Sequence, residues 1–320
     1  MKKIYLAPLE GVTDSIYRKT FMELYGGVDK VYTPFISPCE THKFTTREYR
    51  DIDPEINDIG ITVPQLLTSN AEHFLWAAAE IAALGFSEIN LNLGCPSGTV
   101  VAKKKGSGFL FYPEELDEFL YTIFDGLESR CAKKGAKAPN ISIKTRLGKL
   151  SPDEFYRILE IYNKYPISEL TIHPRVQTDF YKGPVRIEYF DFAYDNSKIP
   201  LVYNGDIKTV RRVQELEKKY QDINAIMIGR GLIANPELAL TVRSGALDMD
   251  FNYERLKEFH DSLLQQYTKL LSGDNPVLHR MKELWMFWQT AFPGREKALK
   301  EIKKSTSIQS YKISVANLFR

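Results

Sequence analysis

Cysteine is scarce in this chain. There are 3 in 320 residues (Cys39, Cys95 and Cys131), odd in number and far apart. That excludes a disulfide framework and suits a reducing compartment. No run approaches ~18 consecutive apolar residues, so no transmembrane helix and no membrane partner are expected. The opening Met-Lys-Lys-Ile-Tyr-Leu-Ala-Pro reaches proline after only a few apolar residues, too short a run for the core of a signal peptide. Neither Cys-x-x-Cys nor paired histidines flank Cys95, so no metal is expected. Low-complexity tracts and internal repeats are lacking as well. What remains is an ordinary globular balance, 43% hydrophobic and 26% charged, which rules out a disordered or collagen-like chain. The expectation is a soluble, cytoplasmic, monomeric protein.

Excess charge is also small, +2, but it is unevenly placed. Residues 251–320 hold 12 Lys+Arg against 7 Asp+Glu, a balance of +5, which leaves −3 on the remainder. A basic tail on a mildly acidic body suits a polyanion such as nucleic acid, and equally suits solvated helix faces.

Eight β-type runs recur in the first 235 residues, starting near Ile4, Val28, Ile61, Glu88, Ile141, Glu169, Ile199 and Ala225. Helical patterns follow most of them. Eight alternations predict an α/β fold, a closed (βα)8 TIM barrel over residues 1–250. Parallel strands covered on both faces should read as near-continuous apolar runs, as Ile199-Pro-Leu-Val-Tyr and Ala225-Ile-Met-Ile do. Ser151-Pro-Asp-Glu154 reads as an N-cap serine with a capping-box glutamate. Pro113 opens another helix, and Phe74 to Ala82 marks a third. After Asp250 no strand candidate remains. Three amphipathic patterns, around Leu256–Leu270, Met281–Trp288 and Ala298–Ile302, predict a C-terminal small helical bundle over 251–320.

In such a barrel the chemistry sits at the C-terminal strand ends. Those ends are polar here: Ala7-Pro-Leu-Glu-Gly-Val-Thr-Asp14, Pro64-Gln65, Asn90-Leu-Asn92-Leu-Gly-Cys95-Pro96, Lys144-Thr-Arg146-Leu-Gly148, His173-Pro-Arg175, Asn204-Gly-Asp206 and Gly229-Arg-Gly231. Each alone passes for a turn or a snorkelling side chain. Their common register points to a site. Gly205, Gly229 and Gly231 beside Arg230 suit an anion, since the loops after strands seven and eight are the usual phosphate cradle of this fold. Gly229-Arg-Gly-Leu-Ile-Ala234, with Asp248 19 residues on, also fits a dinucleotide fingerprint. That motif should open a βαβ unit, however, and no second strand follows. Cys95, protonated at neutral pH if near a thiol pKa of ~8.5, is the candidate proton donor. The stretch Ser97–Gly108 after it, basic and glycine-rich, reads as a mobile lid or as a plain solvated loop.

Taken together these pieces resemble the dihydrouridine synthases, FMN-dependent barrels that reduce uridine in tRNA with NADPH. The matches run in order from residue 7 to about 236 and continue more weakly through His279-Arg-Met-Lys282. The resemblance implies that Pro8, Leu9 and Glu10 contact FMN through backbone, with Gln65, Lys144 and His173 along its ring edge. Asn204, Gly205, Asp206, Gly229 and Arg230 would hold its phosphate. Asn92, Arg146 and Tyr181 would face the uracil, and Cys95 would protonate C5 after hydride reaches C6. Arg280, Lys282, Lys297, Lys300, Lys303 and Lys304 are the expected phosphate contacts to RNA. The chain departs from the family pattern at Leu9, at Tyr32-Thr-Pro-Phe35, at Val176 and at Asp179, near the substrate mouth. The same chemistry on ribosomal RNA, a small-molecule ene-reductase and an RNA-binding barrel without catalysis stay open as alternatives.

Overall fold

The structure, a computed structural model, describes residues 2–247 and 251–320. Eight parallel strands close into a barrel: β1 (Lys3–Leu6), β2 (Lys30–Ile36), β3 (Thr62–Leu66), β4 (Glu88–Leu93), β5 (Asn140–Gly148), β6 (Leu170–Val176), β7 (Leu201–Tyr203) and β8 (Ala225–Ile228). Closure is made by β8 on β1, with Lys3 opposite Ala225 and Leu6 opposite Ile228. This is the (βα)8 TIM barrel expected from the alternation.

The strands have two different faces. Side chains alternate along a strand, so Ile89, Leu91 and Leu93 of β4 face the helices while Glu88, Asn90 and Asn92 face the bore. Only β7 and β8 read as the continuous apolar runs expected of every strand. The reason is a polar bore. Lys30 donates to Glu88 at 2.6 Å and to Glu169 at 2.8 Å, and the Tyr5 hydroxyl donates to Glu169 at 2.8 Å. Glu88 accepts from Ser142 at 2.7 Å, Ser142 from Asn90 at 2.9 Å, and Asn90 from Gln65 at 2.7 Å. Bonds from β1 and β2 across to Glu169, just before β6, can only cross the bore. A half-satisfied network would cost more than an apolar one; here each member has partners. Tyr5, Tyr32, Val63, Val202 and Met227 fill the remaining bore space.

Local signals explain several helix starts. Asp14 caps Ser15–Leu24 and Asn70 caps Ala71–Ala83 by accepting the backbone N–H three residues on. Pro113 occupies the first turn of Pro113–Ala132 as expected. The helix that follows Ser151 begins at Glu154. Its carboxylate accepts from the amides of Lys149, Leu150 and Ser151 at 2.7, 3.0 and 2.9 Å, the last being the glutamate half of the expected capping box, while Ser151 Oγ accepts from Asp153 N at 3.2 Å.

Beyond residue 250 there are four main helices, one more than expected: Tyr253–Leu270, Asp274–Trp288, Glu296–Lys304 and Ile308–Leu318. The expected boundary falls at 250/251, and residues 248–250, Asp248 among them, lie outside the described residues. On its two sides one apolar core is shared. Phe259 meets Tyr17 edge-on at 5.3 Å, and Tyr267 donates to Asp14 at 2.9 Å. Inside the bundle, Trp285 donates to the Tyr311 hydroxyl at 2.7 Å. The Asp261 carboxylate can only accept, so it takes the His260 imidazole proton on Nδ1 at 2.8 Å and leaves Nε2 to accept from that hydroxyl, also at 2.7 Å.

Candidate active site

At the C-terminal strand ends lies a cavity of about 560 Å³. Pro8, Leu9, Glu10, Gln65, Asn92, Cys95, Lys144, Arg146, His173, Tyr181, Asn204, Gly205, Asp206, Gly229 and Arg230 all line it. The fold therefore gathers in one place every candidate drawn from the strand ends. Phe180, Lys208, Glu283 and Phe287 also line it and belong to none of the motifs; Phe35 of the Tyr32–Phe35 stretch and Met227 of the strand-eight run line it too, neither singled out as a site residue. Phe287 did leave a signal: it is an apolar residue off the Met281/Leu284/Trp285/Trp288 stripe of its helix.

The bore network ends at the thiol. Gln65 Oε1 accepts from Asn92 Nδ2 at 2.7 Å, and Asn92 Oδ1 in turn accepts the amides of Gly94 at 3.0 Å and Cys95 at 2.8 Å. The oxygen of Asn92 is thus committed to shaping the loop that carries Cys95. On the other side the Cys95 carbonyl accepts from Ser107 N at 3.1 Å and Ser107 Oγ at 2.8 Å. Ser97–Gly108 is accordingly no plain solvated loop. It folds as a short helix, Gly98–Val101, and a 3-10 stretch, Gly106–Phe111, with Gly106, Ser107 and Gly108 buried. A Cβ at Gly106 would stand 2.8 Å from the Cys95 carbonyl, so glycine is needed for this approach. Burial pushes the Cys95 thiol above its ordinary pKa, against the pull of the Ser97 amide and of Arg146. The group is therefore a neutral S–H at physiological pH.

Two cations stand beside it on β5. Arg146 is buried and donates to the carbonyls of Gly94 and Val176, both at 2.9 Å. Its guanidinium lies 5.3 Å from the centre of the Tyr181 ring, and Arg230 lies 5.0 Å from the same ring. Lys144 has no hydrogen bond or ion pair among the described residues. Burial, with Arg146 next to it, brings its pKa down to about 7. His173 is held neutral, first by burial and then by the surrounding cations. Arg175 Nη1 can only donate, so at 2.9 Å it makes His173 Nε2 the acceptor and leaves the proton on Nδ1.

Past β7 and β8 the backbone forms a cradle. Asn204 Nδ2 donates to the Met227 carbonyl at 2.8 Å and ties the two strand ends together. Asp206 takes a positive φ of 42° and pairs with Arg175 and with Arg230, the latter at 2.7 Å. Burial raises the Asp206 pKa, but these arginines outweigh it and hold the carboxyl below its ordinary value. A carboxylate cannot itself hold a phosphate, so this side chain orients Arg230, and the group Asp206 has to offer an anion is its backbone amide. A Cβ at Gly231 would stand 2.0 Å from the Ile207 carbonyl, and one at Gly229 3.3 Å from Leu9 Cδ1. These glycines bring the turn close to its neighbours.

The tail cations do not line the cavity. Arg280 donates to the Gly11 carbonyl, clamping the loop after β1, and Lys282 donates to the Ser305 carbonyl at the end of Glu296–Lys304. Lys303 donates to Gln289 at 2.9 Å. These three are engaged in structural contacts; Lys300 and Lys304 are exposed. Asp179, one of the departures from the family pattern, accepts from Val176 N at 2.9 Å and pairs with Arg186, closing the turn before Tyr181.

Comparison with known proteins agrees with this geometry. The tRNA-dihydrouridine(16) synthase of Vibrio vulnificus is 27% identical over 96% of this chain and 95% of its own length. The enzyme of the same name from Pseudomonas putida is 31% identical over 78% of this chain and 76% of its own. Among solved structures, morphinone reductase superposes with a TM-score of 0.53 at 12% identity, covering 79% of this chain and 89% of its own, a likeness of fold. The family model for dihydrouridine synthases matches residues 5–318, and this chain belongs to that family.

Proposed function

We propose that this protein reduces the C5=C6 bond of a uridine in tRNA to 5,6-dihydrouridine, with FMN as bound cofactor and NADPH as reductant. One observation carries the reading: a neutral thiol, Cys95, shares its cavity with an unpaired, half-buried lysine, Lys144, and with an arginine–glycine turn suited to a phosphate. The residues fit FMN. Lys144 lacks a counter-charge, and the Gly229–Gly231 turn offers backbone amides beside Arg230. When bound there, FMN would supply the hydride for C6 of the uracil. Pro8, Leu9, Gln65, Lys144 and His173 would hold its ring system, and Asn204, Gly205, Gly229 and Arg230 its phosphate.

The chain's own residues do the rest. Negative charge that develops on the base needs a proton at C5, which the Cys95 S–H donates. Asn92 fixes the backbone of that cysteine. Arg146, Lys144 and Tyr181 surround the charge that develops, in a cavity where low dielectric strengthens such contacts. A uridine inside folded RNA must leave its stack to arrive here, at a cost of a few kcal/mol. The relatives' names make uridine 16 the first position to test. Unmodified tRNA incubated with protein, FMN and NADPH should gain two hydrogen masses at one uridine; ribosomal RNA or a small enone accepting the reduction instead would replace the substrate assignment.

Two expectations follow. Gly231→Ala should weaken FMN binding at least ~10-fold with the fold retained, because the turn must retreat from the Ile207 carbonyl; a flavin titration and a melting curve read both. Lys300→Gln with Lys304→Gln should lessen the slope of log affinity against log salt by roughly one to two, as each lost phosphate contact contributes ~0.7–0.9. An unchanged slope would place the RNA on another face.

A further inference from the structure

The cavity of the proposed reductase is rich in donors and short of free acceptors. Three carboxylates line it: Glu10, Asp206 and Glu283. Glu10 pairs with Arg47, and Asp206 pairs with Arg175 and Arg230. Glu283 has no ion pair or hydrogen bond among the described residues. It comes from the Asp274–Trp288 helix, outside the barrel, and is half-buried at the mouth. Its place is built. Arg280, one turn earlier, anchors the helix to the Gly11 carbonyl. Gly11 has a φ of +83°, and both Glu283 carboxylate oxygens lie 3.2 Å from the point where a Gly11 Cβ would stand. The missing side chain at Gly11 is what lets this carboxylate come against the loop after β1.

We propose that Glu283 accepts a hydrogen bond from the extruded uridine nucleotide and helps decide which nucleotides are reduced; this rests on the function proposed above. The argument is one of complementarity. A uridine presents carbonyl acceptors, for which Arg146 and Lys144 are matched donors, and two donors, N3–H of the base and the ribose 2′-OH. An ionised carboxylate only accepts. Two side-chain oxygens deeper in the site are taken, Asn92 Oδ1 by two amides and Gln65 Oε1 by Asn92. Glu283 is therefore the cavity carboxylate left to meet either donor. An N3–H contact favours uridine over cytidine, and a 2′-OH contact favours RNA over DNA.

The test is single-turnover reoxidation of the NADPH-reduced holoprotein by an unmodified tRNA transcript, for wild type, Glu283→Ala and Glu283→Gln. Each rate is normalised to that variant's own reduction by NADPH. Losing a charge-assisted bond should slow Glu283→Ala by ~10–100-fold or raise its half-saturating tRNA by as much. Glu283→Gln, which keeps an accepting oxygen, should recover part of the loss. Transcripts carrying 2′-deoxyuridine or N3-methyluridine at the target identify the donor: wild type should discriminate against one of them, and Glu283→Ala should not. Wild-type behaviour of Glu283→Ala overturns the proposal, as does a Gln variant no better than Ala accompanied by a lowered melting temperature. A wild-type protein that tRNA leaves reduced overturns the proposed function itself, and this inference with it.

Discussion

Replacing Cys95 by alanine is expected to leave a yellow protein that NADPH still reduces, while dihydrouridine formation falls ~10²–10⁴-fold, the usual contribution of one positioned proton donor. The expectation follows from how the thiol is held. Its backbone is fixed on both sides, by Asn92 through the amide and by Ser107 through the carbonyl, so the substitution removes the S–H and leaves the loop in place. The direction of its pKa sets the pH dependence. Burial favours the neutral form, so the proton is available through neutrality. It is lost only as pH rises past the raised pKa, above the ordinary thiol value of ~8.5. Product formation in the wild type should therefore stay level through neutral pH and decline in alkali. The alanine variant should lose that alkaline limb together with its rate. A variant that makes dihydrouridine at the normal rate would remove Cys95 as the donor.

Lys144→Met should act in opposite directions on stability and on chemistry. In the flavin-free protein the Lys144 pKa is about 7, whereas the unfolded chain keeps the ordinary lysine value. Between those two values the unfolded chain binds the extra proton, so stability rises with pH there; below about 7 both states are protonated and the burial penalty is complete. Methionine removes that penalty. The flavin-free variant should therefore be more stable than wild type by a few kcal/mol at neutral or mildly acidic pH, with the gain shrinking in alkali. The same change removes the half-buried lysine facing the proposed flavin, and loss of one such electrostatic contact costs ~10²–10³-fold in rate. Melting curves of the flavin-free proteins at two pH values, with stopped-flow reduction by NADPH, check both halves. A destabilised variant with normal reduction would mean that Lys144 is an ordinary structural lysine.

Much of this site is legible in the sequence because a (βα)8 barrel converts strand ends into a single location. Asn92 with Cys95, Lys144 with Arg146, and Gly229 come from three segments separated by scores of residues, yet the strand alternation alone puts them in one ring. Contributions made through backbone or by shape are hidden. Arg280 and Lys282 read as cations for RNA because composition records charge and not the carbonyl each one meets. Gly106 and Gly108 read as loop flexibility, although they are glycine because a Cβ at either would stand within 3 Å of a Cys95 or Val101 atom. Glu283 belongs to no motif; a helix beyond the barrel brings it to the mouth. The polar bore has a signal in the alternation Glu88, Asn90, Asn92 of β4, a period-2 pattern that a search for continuous apolar strands passes over. The last helix, Ile308–Leu318, has its signals too, in Ser307 as cap and in Tyr311, Val315 and Leu318 at helical spacing.

The central claim is that one cavity takes electrons from NADPH onto a bound flavin and delivers them to a uridine in tRNA. The visible spectrum of the purified protein tests it most directly, followed without air as NADPH and then an unmodified tRNA transcript are added. A flavin band that NADPH bleaches and tRNA restores is the predicted result. A protein that takes up no flavin even when FMN is supplied, or whose reduced flavin no tRNA reoxidises, would contradict it.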